Sequence, residues 1–420
     1  MKIVLINTTE RIGGAAIAAN RLMKALIDTG VEAKTLVLSK QTDDENVISI
    51  QYSFFRKKLT KFYFLWERWV IFIHNSFSKE NLFKVSIANT GFNVSNHPLV
   101  KDADIIHIHW INQGFISTTG IKKLIKTGKP IVWTMHDMWA CTGICHHAWE
   151  CKKYSENCGN CFFLKSTNKS DLSHKVFKKK EFLSKSNIQL VAVSSWLRNL
   201  AVKSTLTKSL NVSVIPNVID TSVFIPSDKK LARNNFSFPE DKKIILMGAA
   251  KLNDPIKGFD YLRQALTLIK EKRNDILLIL FGRIKACKSF LSGLDVDYIF
   301  MDLIEDVSKI VQLYAAADIT VVPSNYETFG QTLIESMACG CPVVSFDNSG
   351  QKDVIDHKIN GYLAKYQDIE DLAAGISWTL FEADHKQLSQ NARQKAIDCY
   401  SEKVVAEQYI NLYKRFQYNS

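Results

Sequence analysis

The sequence predicts an α/β fold of two doubly wound, Rossmann-like domains that face each other across a cleft. Three observations carry this expectation. The chain has 420 residues, more than one ordinary hydrophobic core accommodates. Its apolar runs are short and nearly unbroken, as in IVLI at Ile3–Ile6 and IIHIHW at Ile105–Trp110, which marks strands covered on both faces of a parallel sheet. The alternation of such runs with amphipathic stretches also restarts once. It does so after the aperiodic, charged segment Asp220–Lys242, which contains Pro226 and Pro239.

In the first series the strands are expected at Lys2–Asn7, Ala33–Ser39, Asp104–Trp110, Ile131–His136, Leu190–Ser194 and Val212–Pro216, with helices at Ala15–Thr29, Gly120–Thr127 and His174–Ser184. In the second series Lys243–Ala249, Ile276–Phe281, Tyr298–Met301, Ile319–Pro323 and Pro342–Phe346 read as buried strands. Gly258–Lys272, Asp306–Ala317, Gln331–Cys339 and Leu372–Leu380 read as helices, and Glu402–Phe416 as a last one. The domains are therefore 1–219 and 220–400. Ligands of such sheets sit beyond the carboxyl ends of the strands, so the loops that follow strands are where chemistry is sought.

Composition narrows the class. Hydrophobic residues make up 46% and charged residues 23%, which excludes a disordered or collagen-like chain. The net charge of +12 is unevenly placed: residues 1–210 carry 30 Lys and Arg against 15 Asp and Glu, residues 211–420 carry 24 against 27. A basic half suits an anionic partner, and a solvated basic surface is the plain alternative. No secretory signal or membrane span is visible, so a cytoplasmic location is expected. There the nine cysteines are not expected to pair as disulfides.

The most informative segment is Pro323–Pro342, PSNYETFGQTLIESMACGCP. Glu327 and Glu335 are eight apart. A helix starting near Thr328 would put Glu327 at its N-terminal edge and Glu335 about two turns in, with backbone N–H groups of Phe329, Gly330 and Gln331 turned to a phosphate or polyhydroxyl ligand. With Ser324 before it and MACGCPVV after it, the segment resembles the nucleotide-binding core of retaining glycosyltransferases of the GT-B fold, family 4. The resemblance extends to Gly13–Gly14, to VIPNVIDTSVF at Val214–Phe224 and to Lys257–Gly258.

The resemblance implies roles. Glu327 would contact donor-sugar hydroxyls and Glu335 the ribose. Phe329, Gly330, Gln331 and Thr332 would line the sugar and phosphates, and Lys257 would meet the departing diphosphate with a fixed positive charge. It also implies that segment 401–420 packs back on the N-terminal domain. The family's Arg after the glycine of the first second-domain strand is missing here: Gly248 is followed by Ala249, Ala250 and Lys251, so Lys251 or Arg283 is left to supply that charge, without the Arg fork in the case of Lys. Asp102-Ala-Asp104 and Asp295-Val-Asp297 precede strands and read as turn residues rather than metal ligands, which favours metal-independent transfer.

In the first half His136, after a buried strand, resembles the family histidine near the reacting carbon; Asp137 and His109 are placed on the acceptor side. Gly13 and Gly14 lack the spacing of a dinucleotide fingerprint and would let a helix start approach the diphosphate or the acceptor. Phe54–His74 carries Phe55, Leu59, Phe62, Trp66, Trp69 and Ile73 at spacings of three and four, with Arg56, Lys57, Lys58, Lys61 and Arg68 around them. Two readings stand: a helix at an anionic membrane surface, or a core helix with a basic outer face. Cys145, Cys151, Cys158 and Cys161 are a candidate structural zinc set, with free thiols as the alternative. A similar Cys-rich insertion occurs in a subgroup of family-4 enzymes of polysaccharide biosynthesis.

These readings converge on a retaining glycosyltransferase that moves a sugar from a nucleotide-diphosphate donor to a saccharide acceptor. The acceptor is expected to be lipid-linked, at the cytoplasmic face of the membrane, in capsule, exopolysaccharide or O-antigen assembly; no catalytic cofactor and no nucleic-acid partner are expected. A GT-B-fold nucleotide-sugar epimerase and a non-catalytic membrane-associated scaffold are the alternatives.

Overall fold

The computed structural model describes residues 1–51, 53–166, 168–284 and 290–417. They form two compact units, Met1–Pro216 with the C-terminal segment from Val405, and Asn217–Val404. In the first unit, strands β1 (Lys2–Thr9), β2 (Glu32–Ser39), β3 (Val47–Ser49), β4 (Ile105–Ile108), β5 (Ile131–Met135), β6 (Gln189–Ala192) and β7 (Val212–Val214) form one sheet in the order β3-β2-β1-β4-β5-β6-β7. In the second, β8 (Lys243–Lys251), β9 (Ile276–Arg283), β10 (Asp297–Met301), β11 (Ile319–Val322), β12 (Val343–Phe346) and β13 (Gly361–Ala364) follow the order β10-β9-β8-β11-β12-β13.

The named strand pairs are all parallel. Parallel neighbours need crossovers, and helices supply them, which is why β4, β5, β6 and β11 are buried at every residue. Both sheets reverse strand order beside their first strand, at β1/β4 and at β8/β11. Two such sheets are the α/β, two-domain arrangement expected. The C-terminal helix Glu402–Gln417 packs on the first unit through buried Val405, Ala406, Tyr409, Leu412 and Tyr413.

Several elements differ from expectation. The sequence reading missed β3 and β13, which are only three and four residues long. It also missed the helix His385–Tyr400, whose buried face of Leu388, Ala392, Ala396 and Tyr400 is too rich in alanine to register as an apolar stripe. The strand at Tyr298–Met301 is not buried: β10 is an edge strand, and Tyr298, Ile299 and Phe300 are exposed.

The larger correction concerns Phe54–His74, one helix of 21 residues. Its buried residues are Glu67, Arg68 and Ile71. Phe55, Phe62, Trp66 and Trp69 of the apolar stripe are exposed, with Leu59 and Ile73 partly covered. The stripe faces outward, so the core-helix reading fails. No described helix is long and apolar enough to cross a membrane.

Gly248 in β8 shows how tightly the second sheet is built. A Cβ there would lie 2.0 Å from a ring carbon of Phe281 on β9. The small residue is what admits the aromatic ring. Gly248→Ala should therefore destabilise the protein by about 1–3 kcal/mol, the usual cost of overpacking. Denaturant unfolding reads this as a lower midpoint at unchanged slope.

Candidate functional site

In the second unit the chain leaves β8 and β11, neighbours at the order reversal, into two loops that are laced together. Asp254 caps the short turn Pro255–Lys257, and Gly258 (φ 71°) redirects the chain into the helix Phe259–Lys270. A Cβ at Gly258 would meet the Pro323 carbonyl oxygen at 1.8 Å, so a side chain there is doubly excluded. Asn325 closes the contact: its N–H donates to the Ile256 carbonyl at 2.8 Å and its Nδ2 to the Pro255 carbonyl at 3.1 Å.

This lacing brings Lys257 to Glu327, with Nζ 2.5 Å from Oε1. The Ser324 hydroxyl donates to the same oxygen at 3.0 Å. The backbone of Glu327 is held at both ends, its N–H donating to Ser349 Oγ at 3.0 Å and its carbonyl accepting from Gly350 N–H at 2.8 Å. Ser349 is fixed in turn by Gln351, whose Nε2 donates to the Ser324 carbonyl at 3.0 Å. Ser349 and Gln351 lie after β12 and carry no motif, so only the fold reveals them. The Lys257 and Glu327 side chains keep 32% and 16% of their exposure, so a ligand can reach the pair.

The helix after Glu327 runs from Gln331 to Ala338, starting where the Gln331–Cys339 helix was expected and three residues beyond the Thr328 start used to place the two carboxylates. Gly330 (φ 104°) is its N-cap, and a left-handed cap is what glycine permits and most residues do not. Glu327 therefore lies in the loop before the helix rather than on its edge. Glu335 sits one turn in rather than two, accepting a hydrogen bond from Tyr314 OH at 3.1 Å. Thr332 is half-buried in the first turn. Phe329 is buried and packs edge-on against Tyr400 at 5.5 Å, so only its backbone is offered to a ligand. Lys251, last in β8, is the register partner of Arg283 in β9, and it approaches Asp254 at 4.0 Å. The two candidate substitutes for the missing Arg are thus neighbours on one strand end.

The Asp-x-Asp pairs lie at the opposite ends of the strands. Asp102 pairs with Lys2 at 3.0 Å, and Asp104 accepts from the Lys2 N–H at 2.7 Å. Asp297 pairs with Lys242 at 3.1 Å, and Asp295 accepts from Thr267 at 3.3 Å.

In the first unit Gly13 (φ 93°) caps the helix Gly14–Asp28, its carbonyl accepting from Ala16 and Ile17 N–H at 3.1 Å each. His136 directly follows β5 and His109 directly follows β4. Their rings stack, and His109 Nδ1 lies 2.9 Å from His136 Nε2. His109 is buried and its Nε2 has no hydrogen-bond partner among the described residues. His136 is its hydrogen-bonded neighbour. His107 is the packed member: Nε2 meets Thr134 Oγ1 at 2.8 Å and Nδ1 meets Tyr413 OH at 2.7 Å, while Tyr409 OH lies 2.9 Å from Thr134 Oγ1. Tyr409 and Tyr413, one turn apart on the C-terminal helix, were missed by sequence reading, although their i, i+4 spacing was visible.

Burial pushes the His136 imidazole down to about 4 against the pull of Asp137, and His107 down to about 3. His109 is held well below its ordinary value, first by burial and then by the neighbouring imidazoles. All three rings are neutral near pH 7. Asp137 spends its carboxylate on the protein, accepting from Trp110 Nε1 at 2.9 Å, Trp139 N–H at 2.8 Å and His146 at 2.6 Å. Burial works to raise its carboxyl, yet His146 and the Trp139 N–H hold it at about 2.

Cys145 and Cys158 are buried, Cys151 and Cys161 partly so, and none is in a disulfide. Burial pushes the Cys158 thiol up to about 12 and Cys161 to about 11, and each of the four thiols acts on its neighbours. Among the described residues no three His, Cys, Asp or Glu side chains gather in a metal-holding arrangement. As they stand, the four cysteines do not fit a formed zinc site.

Two family models match this chain: Glycosyltransferase Family 4 over residues 12–223 and Glycosyl transferases group 1 over residues 228–395. An uncharacterised glycosyltransferase of Methanocaldococcus jannaschii is 28% identical over 235 residues, 54% of this chain and 60% of that one. The N,N'-diacetylbacillosaminyl-diphospho-undecaprenol alpha-1,3-N-acetylgalactosaminyltransferase of Campylobacter jejuni is 32% identical over 231 residues, 53% of this chain and 58% of that one. The chain thus matches about three fifths of the length of these curated relatives. Among solved structures, sucrose-phosphate synthase from Thermosynechococcus elongatus superposes with a TM-score of 0.68 at 20% identity, covering 100% of both chains. Anabaena HepE in complex with UDP and glucose gives 0.65 at 16%, covering 99% of each. These likenesses establish the fold as GT-B.

The histidine cluster sets a pH dependence of stability. Each imidazole titrates near 6.5 when unfolded and well below that when folded, so the unfolded chain binds more protons between about pH 6.5 and pH 4. Stability should fall as pH drops through that window. Denaturant midpoints measured from pH 7 down to pH 4.5 should decline, less steeply in His107→Gln; parallel declines would rule out His107 as a contributor.

Proposed function

The chain belongs to glycosyltransferase family 4, and on that premise we propose that it is a retaining, metal-independent transferase. It moves a sugar from a nucleotide-diphosphate donor to a hydroxyl of a lipid-linked saccharide. The place is the cytoplasmic face of a membrane and the process is cell-surface polysaccharide assembly, as in capsule, exopolysaccharide or O-antigen.

The observation that carries this reading is the 2.5 Å pair of Lys257 and Glu327 at the β8/β11 reversal. Two laced loops hold a cation and an acceptor-only carboxylate side by side, which are the groups a diphosphate and sugar hydroxyls require. Donor binding replaces the pair's mutual contact: Glu327 turns to the sugar hydroxyls and Lys257 to the diphosphate, while Glu335 takes the ribose. The bond between the anomeric carbon and the phosphate oxygen then breaks, its electrons leaving with the diphosphate. The acceptor oxygen bonds to the same face of that carbon, and its proton passes to the departing phosphate oxygen. Lys257, joined by Lys251 or Arg283, stabilises the charge that develops there. Neutral His136 serves as a hydrogen-bonding group toward the sugar or acceptor, its ring held by His109.

Metal independence is supported by the Asp-x-Asp pairs, which lie at strand starts and are tied there to lysines and a threonine. The lipid-linked acceptor is supported by the diphospho-undecaprenol in the name of the Campylobacter relative. The polysaccharide setting is supported by CapM of Staphylococcus aureus, a capsular polysaccharide biosynthesis glycosyltransferase, 23% identical over 238 residues. A nucleotide-glucose donor is one candidate, since Anabaena HepE was solved with UDP-glucose. A zinc on Cys145, Cys151, Cys158 and Cys161 would need these thiols to close around it. Metal content of protein purified under reducing conditions decides that question.

Glu335→Ala should abolish donor binding in calorimetry across a panel of nucleotide sugars, and unchanged affinity would refute its role. Lys257→Ala should lower turnover by about 10²–10³. Incubating the enzyme with donor alone separates transfer from epimerisation: a new sugar isomer without acceptor would overturn the transferase reading.

A further inference from the structure

The outward face of the Phe54–His74 helix is the largest feature that the proposed reaction leaves unexplained. The helix is fastened to its unit by polar groups. Glu67 Oε1 accepts from Ile87 and Ala88 N–H at 2.7 and 2.9 Å, and Arg68 pairs with Glu67 at 2.9 Å while donating to the Val85 carbonyl at 3.0 Å. The opposite face carries Phe55, Phe62, Leu65, Trp66 and Trp69, which are 73%, 53%, 62%, 40% and 51% exposed. The rings form one surface, with Phe62 to Trp66 at 5.9 Å and Trp66 to Trp69 at 5.0 Å. Single exposed apolar residues need no explanation, whereas a continuous aromatic face marks an interaction site.

The charge around this face selects the partner. Lys57, Lys58 and Lys61 of the same helix are exposed. At its C-terminal end Val70 and His74 line a cavity of about 490 Å³ together with His174, Lys175, Lys178 and Lys179 from the neighbouring helix, and among the described residues no carboxylate lines it. Glu181 pairs with Lys178 at 2.7 Å but stands outside the lining. Tryptophan and phenylalanine beside lysine, on a helix that does not span, suit the boundary between headgroups and acyl chains of an anionic bilayer.

We propose that this face docks the protein on an anionic lipid bilayer, with the aromatic side chains at the headgroup–acyl boundary and the basic cavity holding a lipid phosphate. The proposal rests on the membrane-bound acceptor argued above and assigns the surface that meets the membrane.

Sedimentation of the full chain with vesicles tests it. Vesicles of phosphatidylcholine and phosphatidylglycerol in equal parts should capture the protein roughly tenfold better than phosphatidylcholine alone, and added salt should weaken that capture. Trp66→Ser/Trp69→Ser should lose most binding to both. Lys175→Gln/Lys178→Gln/Lys179→Gln should lose the anionic preference and keep the weak binding to phosphatidylcholine. All these side chains are exposed, so unchanged melting temperatures should accompany each result. Equal capture by both vesicle types, or full capture of the tryptophan variant, would overturn the proposal. So would self-association that vanishes in the tryptophan variant while vesicles have no effect, which would assign the face to a second copy. Stabilisation by inorganic phosphate that disappears in the lysine variant, without vesicle capture, would assign the cavity to free phosphate. Donor calorimetry runs alongside: vesicle capture without donor binding would sink the transferase reading alone, and donor binding without capture would sink this one alone.

Discussion

The constraint on which the rest depends is the reversal of strand order in each parallel sheet. Parallel strands need right-handed crossovers, and a chain that winds first one way and then the other from its first strand leaves a crevice beyond the carboxyl ends of the two strands where it turned. In the second unit these are the paired strands β8 and β11. Lys257 and Glu327 are seventy residues apart in sequence, yet this topology alone makes their loops neighbours. The Gly258 turn and the Asn325 hydrogen bonds then reduce that neighbourhood to a fixed contact. In the first unit the strands at the reversal are β1 and β4, and Gly13 and His109 follow them. His136 follows β5, the next strand out. The location of each site is thus a consequence of winding, and the side chains specialise a place the backbone had already opened.

Much of this was legible in the sequence, for an identifiable reason. Strands buried on both faces must be apolar throughout, so β1, β4, β5, β9 and β11 announced themselves. Short or edge strands are under no such demand: β3 is half-covered, β13 is four residues long, and β10 is apolar yet exposed. Glu327, Glu335 and Lys257 were visible through a motif. Ser324 was visible beside them, but Ser349 and Gln351, which hold the Glu327 backbone, and Tyr314, which donates to the Glu335 carboxylate, are ordinary residues whose role exists only once distant loops meet. The helix start at Gln331 was legible, yet placing the two carboxylates from a start near Thr328 put Glu327 on the helix edge, because Thr328 is a respectable cap, whereas the observed cap is a left-handed glycine, a backbone property that composition does not disclose.

The two units solve the problem of placing polar groups in opposite ways. In the second, a cation and a carboxylate neutralise each other while remaining within reach of solvent, so the pair is cheap to open when a ligand offers better partners. In the first, His107 and His109 are buried and His136 is half-buried, with no carboxylate among the described residues hydrogen-bonded to their rings, and loss of solvent keeps them uncharged. Neutral imidazoles donate through one nitrogen and accept through the other, so the His109–His136 contact couples the two tautomers. The Tyr409 and Tyr413 hydroxyls satisfy the layer beneath. The C-terminal helix therefore belongs to the site's foundation although it is the last element of the chain.

The Phe54–His74 helix shows why an amphipathic pattern fixes a stripe without fixing which way it faces. Periodicity ranks residues by angle around the axis, and the aromatic stripe would serve equally well inward or outward. The decision lies in Glu67 and Arg68. A buried carboxylate is tolerable only with donors or an opposite charge beside it, and here two backbone N–H groups donate to Oε1 while the adjacent guanidinium forms an ion pair 2.9 Å from Oε2. Those donors come from Ile87 and Ala88, which lie outside the helix, so no reading of the helix by itself could find them. Once Glu67 is anchored inside, the geometry of 3.6 residues per turn carries Phe62, Trp66 and Trp69 to the far side. One anchored ion pair thereby turns a core-like sequence into an exposed aromatic surface.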